Sequence, residues 1–182
     1  MARYFFAVIV GVIGAIVVHF GAIYLLPTLS ANAAAAIVGV SVADGEFVEI
    51  GALDNRIARE NADPFRVGIC KFDLSSGVFR MRSDGDVPLW TIAVHGQSGT
   101  ISFSATDRNV PGGQLNLAIV NQKQLREIRQ SLPQDLENAV IVDTRFDAGF
   151  ISMRAFEPDA SYAEKIREFF ANTSCEYVTY EG

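Results

Sequence analysis

Residues Tyr4 to Leu26 read YFFAVIVGVIGAIVVHFGAIYLL, 23 positions without Asp, Glu, Lys or Arg. As a helix rising about 1.5 Å per residue, this run is roughly 34 Å long, enough to cross a hydrocarbon core of about 30 Å. Lipid offers the backbone no hydrogen-bond partners, so such a segment is expected to be helical. Arg3 precedes it and the next cation is Arg56. The positive-inside bias therefore predicts a cytoplasmic N-terminus and export of everything after Leu26. In a Gram-negative bacterium the exported part would lie in the periplasm. Ala31-Asn32-Ala33 offers signal peptidase a site after Ala33. The apolar run is much longer than a signal-peptide core, which favours an uncleaved anchor over a cleaved signal.

The span has two unlike faces. Ala7, Gly11 and Ala15 form a small-xxx-small ridge along which a second helix could approach closely. Phe5, Phe6, Ile9, Ile13, Ile16 and Phe20 occupy the other side. Gly and Ala are also simply common in membrane spans. His19 sits at the edge of the small face, where a neutral imidazole near an interface costs little.

The sequence divides into a stub and anchor (1–26), an Ala-rich stalk with a short helical segment (27–63) and an exported domain (64–182). Residues 27–43 are uncharged and read equally as a helix capped at Ser30 or a compliant stalk. From Asp44 to Asp63, Phe47, Ile50, Leu53 and Ile57 keep a loose helical spacing that Pro64 ends.

Beyond Pro64 the period becomes two. Runs at Val67–Asp73, Val78–Arg82, Leu89–His95 and Thr100–Ser104 alternate apolar and polar residues between turn signals at Ser75-Ser76-Gly77, Asp84-Gly85-Asp86 and Gly96–Gly99. The pattern predicts an antiparallel meander. Another strand is expected at Leu115–Val120, then a helix capped by Asn121 with Leu125, Ile128 and Leu132 on one face, stopped by Pro133. Ala139–Asp143 and Phe150–Phe156 flank Asp147-Ala148-Gly149 as a further hairpin. A last helix starts near Ser161, where Ser161 and Glu164 match a capping box, and buries Tyr162, Ile166 and Phe169 or Phe170. The fold class expected is α+β: an anchor helix, then a mainly antiparallel sheet or sandwich with two covering helices.

Two cysteines, Cys70 and Cys175, fall in the exported part. An oxidising compartment favours their pairing, and closing a loop of that size stabilises a domain by up to about 4–5 kcal/mol. No C-x-x-C spacing suggests redox chemistry.

Chemistry-bearing motifs are sparse. One histidine, His95, stands in the exported domain, too few for a zinc site without several acidic or thiol ligands. His95-Gly96-Gln97-Ser98-Gly99 lacks the spacing of a nucleophile elbow and reads as a hairpin loop. Asp84-Gly85-Asp86 lacks the remaining ligands of a calcium loop. No metal and no cofactor is expected. Trp90, His95, Asp107 and Arg108 form the candidate ligand-binding group, against the plainer alternative of a solvated rim with an Asp–Arg pair. With 15 basic against 21 acidic residues, nucleic acid is not an expected partner.

The stretch FRVGICKFDLSSGVFRMRSDGDVPLWTIAVHGQSGTISFSATDR, Phe65 to Arg108, resembles the bacterial envelope family known as domain of unknown function 1254 in its short, single-span form. The resembling features are FDLS at Phe72–Ser75, the following VFRMR, PLWTIAVH at Pro88–His95 and Thr106-Asp107-Arg108, with a late Cys175. The resemblance implies a β-rich exported domain and, as a partner, a protein carrying the sister domain of unknown function 1214. It brings no catalytic residues. The function expected is that of a non-catalytic, single-pass inner-membrane protein whose periplasmic domain binds a partner or small ligand. Two alternatives stand beside it: a periplasmic enzyme using His95 and Asp107 as acid and base, and a helix-docking subunit of a membrane complex.

Overall fold

The computed structural model describes residues 2–50, 64–110 and 113–178, with 27–41 as backbone. A single helix, α1 (Ala2–Ser41), continues through the Ala-rich segment. Ala2–Leu26 is long and apolar enough to cross a membrane. Val18 and Tyr24 are 72% and 73% exposed, so the other described residues do not cover this helix.

After α1 the described chain forms two sheets. The five-stranded sheet has the order β1 (Phe47–Glu49), β2 (Phe65–Asp73), β8 (Ala148–Phe156), β4 (Trp90–Gly96), β5 (Ile101–Thr106), all antiparallel. The four-stranded sheet has the order β7 (Val140–Thr144), β6 (Leu115–Asn121), β3 (Val78–Ser83), β9 (Thr173–Val178), with only β6 and β7 parallel. Strand alternation puts Phe72, Trp90, Ile92, Val94, Ile151 and Met153 of the first sheet against Phe79, Met81, Leu117 and Ile119 of the second, in one buried core. The expected α+β architecture is therefore present as a sandwich.

Two helices complete it. In α2 (Gln122–Gln130), Asn121 accepts hydrogen bonds from the Lys123 and Gln124 backbone, and Gln124 answers to the Asn121 N–H, a full capping box. Its Ile128, with half-buried Leu125, covers Val78, Ala118 and Val120 on the outer face of the four-stranded sheet. The last helix, α3 (Ala163–Ala171), drives Ile166, Phe169 and Phe170 into the main core.

The structure departs from the sequence expectations in five places. The meander does not form: of its successive strands only β4 and β5 are neighbours, since the turn at Leu74–Ser76 carries the chain from one sheet to the other. The hairpin at Asp147–Gly149 does not form either, because β7 and β8 belong to different sheets. Phe146 explains this corner: it enters the core beside Phe72 and rests on Gly96, where an added Cβ would come within 2.9 Å of its ring. The Ser161–Glu164 capping box is replaced by Asp159, which accepts from the Ser161 N–H and caps a 3-10 turn ahead of α3. Phe47 lies in strand β1 rather than on a helix; the rest of that expected helix, 51–63, lies outside the described residues. β9, absent from the sequence reading, pairs along the whole of β3.

Cys70 of β2 and Cys175 of β9 form the expected disulfide, with Cα atoms 6.5 Å apart, stitching one sheet to the other. Next to it the Tyr177 hydroxyl accepts from the Asp73 N–H (2.8 Å) and donates to Asp44 (2.7 Å). Burial and the Asp44 hydrogen bond both push the Tyr177 phenol upward, so it stays protonated and keeps donating.

Candidate functional site

The outer face of the five-stranded sheet is covered unequally. Towards β1 and β2, Val42 from the end of α1 packs with Ile69 and Phe150, joined by Val48 and Ile50. Over β8, β4 and β5 lies an open groove of about 430 Å³. Its size falls in the range of small-molecule sites.

The groove follows from strand register. Across β4 and β8, His95 faces Phe150, Ala93 faces Ser152 and Thr91 faces Arg154; across β4 and β5, Ala93 faces Ser104 and Thr91 faces Thr106. The small Ala93, with a serine on either side, makes the floor low. His95 walls one end together with Ile101, which a register shift after Val94 sets opposite it. Arg154, Thr106 and Asn109 stand at the other end.

His95 is fixed by its surroundings. Its ring stacks on Phe150 with centroids 4.7 Å apart and planes 9° from parallel. Its Nε2 lies 2.9 Å from Ser152 Oγ. Burial lowers the His95 pKa, a hydrogen bond with the Gly99 backbone opposes this, and the Arg154 charge adds to the lowering. The ring is thus neutral at pH 7 and exchanges a hydrogen bond with the serine hydroxyl. Arg154 is exposed and makes no salt bridge among the described residues.

The four residues expected to act together are separated. Trp90 and His95 have opposite strand parity, so Trp90 points into the core, 1% exposed, its indole N–H donating to the Gly113 carbonyl. Asp107 and Arg108 form a 3-10 turn after Thr106, at the Thr91 end of the β4–β5 hairpin. Four residues of strand, about 13 Å, separate Thr91 from His95. Arg108 is exposed, and Asp107 keeps one buried oxygen without a hydrogen bond among the described residues. Of the group only His95 lines the groove. No cluster of three or more His, Cys, Asp or Glu suited to a metal occurs among the described residues. On α1, a Cβ added at Gly11 would meet nothing within 4 Å, so this part of the small ridge is open.

Ser152 and Arg154 were not singled out in the sequence. Their alternation with Ile151, Met153 and Ala155 does put them on one face. That this face adjoins His95 depends on β8 inserting between β2 and β4, which no local pattern records.

No family model and no curated protein matches the chain. Among solved structures, the VPA0106 protein from Vibrio parahaemolyticus is similar over 64% of this chain, at 9% identity and a TM-score of 0.52. An uncharacterised protein from Burkholderia cenocepacia aligns over 75% of the chain at 15% identity and a TM-score of 0.42. The chain spans 28% of the first protein and 38% of the second. The likeness to the Vibrio protein is one of fold.

Proposed function

We infer that this chain is a single-pass protein of a bacterial inner membrane, N-terminus in the cytoplasm, whose periplasmic β-sandwich is a non-catalytic binding module. The uncovered apolar helix Ala2–Leu26 supports the anchor, and the Cys70–Cys175 disulfide fits an oxidising compartment. One observation carries the binding reading: the groove over β8, β4 and β5, where hydroxyls, an imidazole and a guanidinium converge over a small apolar floor. The resemblance to the domain of unknown function 1254 family supports the same placement, with a protein carrying domain of unknown function 1214 as the proposed protein partner.

The His95–Ser152 contact favours a second reading, in which a neutral imidazole activates a serine hydroxyl for attack on an acyl or related substrate. Thermal unfolding of the full-length protein in nanodiscs, screened against small organic acids, amines, sugars and neutral alcohols, tests the binding reading. A ligand at 100 times its Kd stabilises by about 2.7 kcal/mol. The expected result is a raised midpoint that disappears in Ala93→Trp, which fills the groove floor. A midpoint raised equally in the variant, or by no compound, would overturn it.

A further inference from the structure

The charge lining the groove is unlike the charge of the chain. The whole sequence carries 21 acidic and 15 basic residues, yet among the described residues the groove is lined by Arg154 and by no carboxylate. Arg154 is exposed at one end without a salt bridge among the described residues, whereas Arg66 is paired with Glu49 and Arg80 with Glu176. Thr91 stands beside it across β4 and β8, with Thr106 next to Thr91 on β5, and both hydroxyls line the groove and can turn their protons toward an acceptor. The other end is different: Ala93 is the floor and Ile101, 57% exposed, is the wall. The His95 ring there is stacked on Phe150 and kept uncharged by burial.

We propose that the groove binds a small organic monoanion, its carboxylate held by Arg154 with Thr91 and Thr106, and its short apolar body lying over Ala93 against Ile101. The proposal rests on the groove being the binding site and adds the class of ligand. A guanidinium takes a carboxylate in a two-point, charge-assisted fork, and donor hydroxyls complete the oxygen's partners. An ammonium ligand would meet a like charge at Arg154 and, among the described lining residues, find no carboxylate to answer it. A dianion would bring a second charge to the end built from Ala93, Ile101 and the Phe150-stacked imidazole, where no described lining residue supplies a cation.

The test uses full-length protein with carbon-13-labelled isoleucine methyl groups, in nanodiscs of uncharged lipid, observed by NMR. Three probes of one shape are titrated: 4-methylpentanoate, 4-methylpentanamide and 4-methylpentan-1-amine. The expected result is a saturable shift of the Ile101 methyl resonance with the carboxylate. Its Kd is to be at least about tenfold lower than for the amide or the amine, and to rise about tenfold or more in Arg154→Gln. Arg154 is exposed, and a control spectrum of the variant establishes that it remains folded. Equal binding of amide and carboxylate, or an unchanged carboxylate Kd in Arg154→Gln, would overturn the anion assignment and leave the groove as a binding site. Failure of all three probes to shift Ile101 would overturn the assignment and the binding reading together.

Discussion

The His95 ring is held by Phe150 on one face, Ser152 at Nε2 and the Gly99 backbone. Burial is the largest influence and lowers its pKa from 6.5. Between the folded value and 6.5 the unfolded chain binds more protons than the folded one, so stability is full above about 6.5 and declines as pH falls through the folded value. Urea midpoints measured between pH 7.5 and 5.5 should therefore drop in the native protein and drop less in His95→Gln. Tyr177 makes a different kind of prediction. Its hydroxyl joins the Asp73 backbone on β2 to Asp44 in the connector from α1. Tyr177→Phe should cost about 1–2 kcal/mol in chemical unfolding, since it takes the acceptor from the part-buried Asp73 N–H, while the exposed Asp44 carboxylate turns to water. Asp44→Asn, which keeps an acceptor, should cost less.

At the scale of elements, strands and helix caps were more legible than their partners. The alternation of Val67–Asp73 marks β2, and Asn121 marks the start of α2, because these signals are local. The two sheet-switching corners were not legible. A turn that changes sheet uses the same Ser, Asp and Gly residues as one that reverses within a sheet, and the difference lies in Phe146 and Leu74 entering the core. Gly149 shows how tightly the resulting pair β4–β8 is set: a Cβ there would come within 2.0 Å of the His95 carbonyl oxygen. Gly149→Ala should force the strands apart at the His95 end, lower stability by about 1–3 kcal/mol and weaken ligand binding in the groove, measured by unfolding and titration. The disulfide joins the same sheet to β9, so Cys70→Ala with Cys175→Ala should lower stability by about 3–5 kcal/mol in denaturant titration while leaving the fold in place at low temperature.

In the whole molecule, the end of α1 and the groove meet on one sheet face. Val42, just past α1, packs on Ile69 and Phe150, and Phe150 carries the His95 ring on its groove side. The candidate site was only partly readable for the same reason. His95 stood out by its chemistry, whereas Ser152 and Arg154 reach it through a strand pairing that spans more than fifty residues of sequence. Trp90 and Asp107, near His95 in the chain, are removed from it by strand parity and strand length. If the groove over β8, β4 and β5 is where this protein binds its ligand, native mass spectrometry of the full-length chain, purified from its source beside Ala93→Trp, will find a small-molecule adduct on the native protein that is missing from the variant. An adduct carried equally by both, or by neither, would refute the assignment.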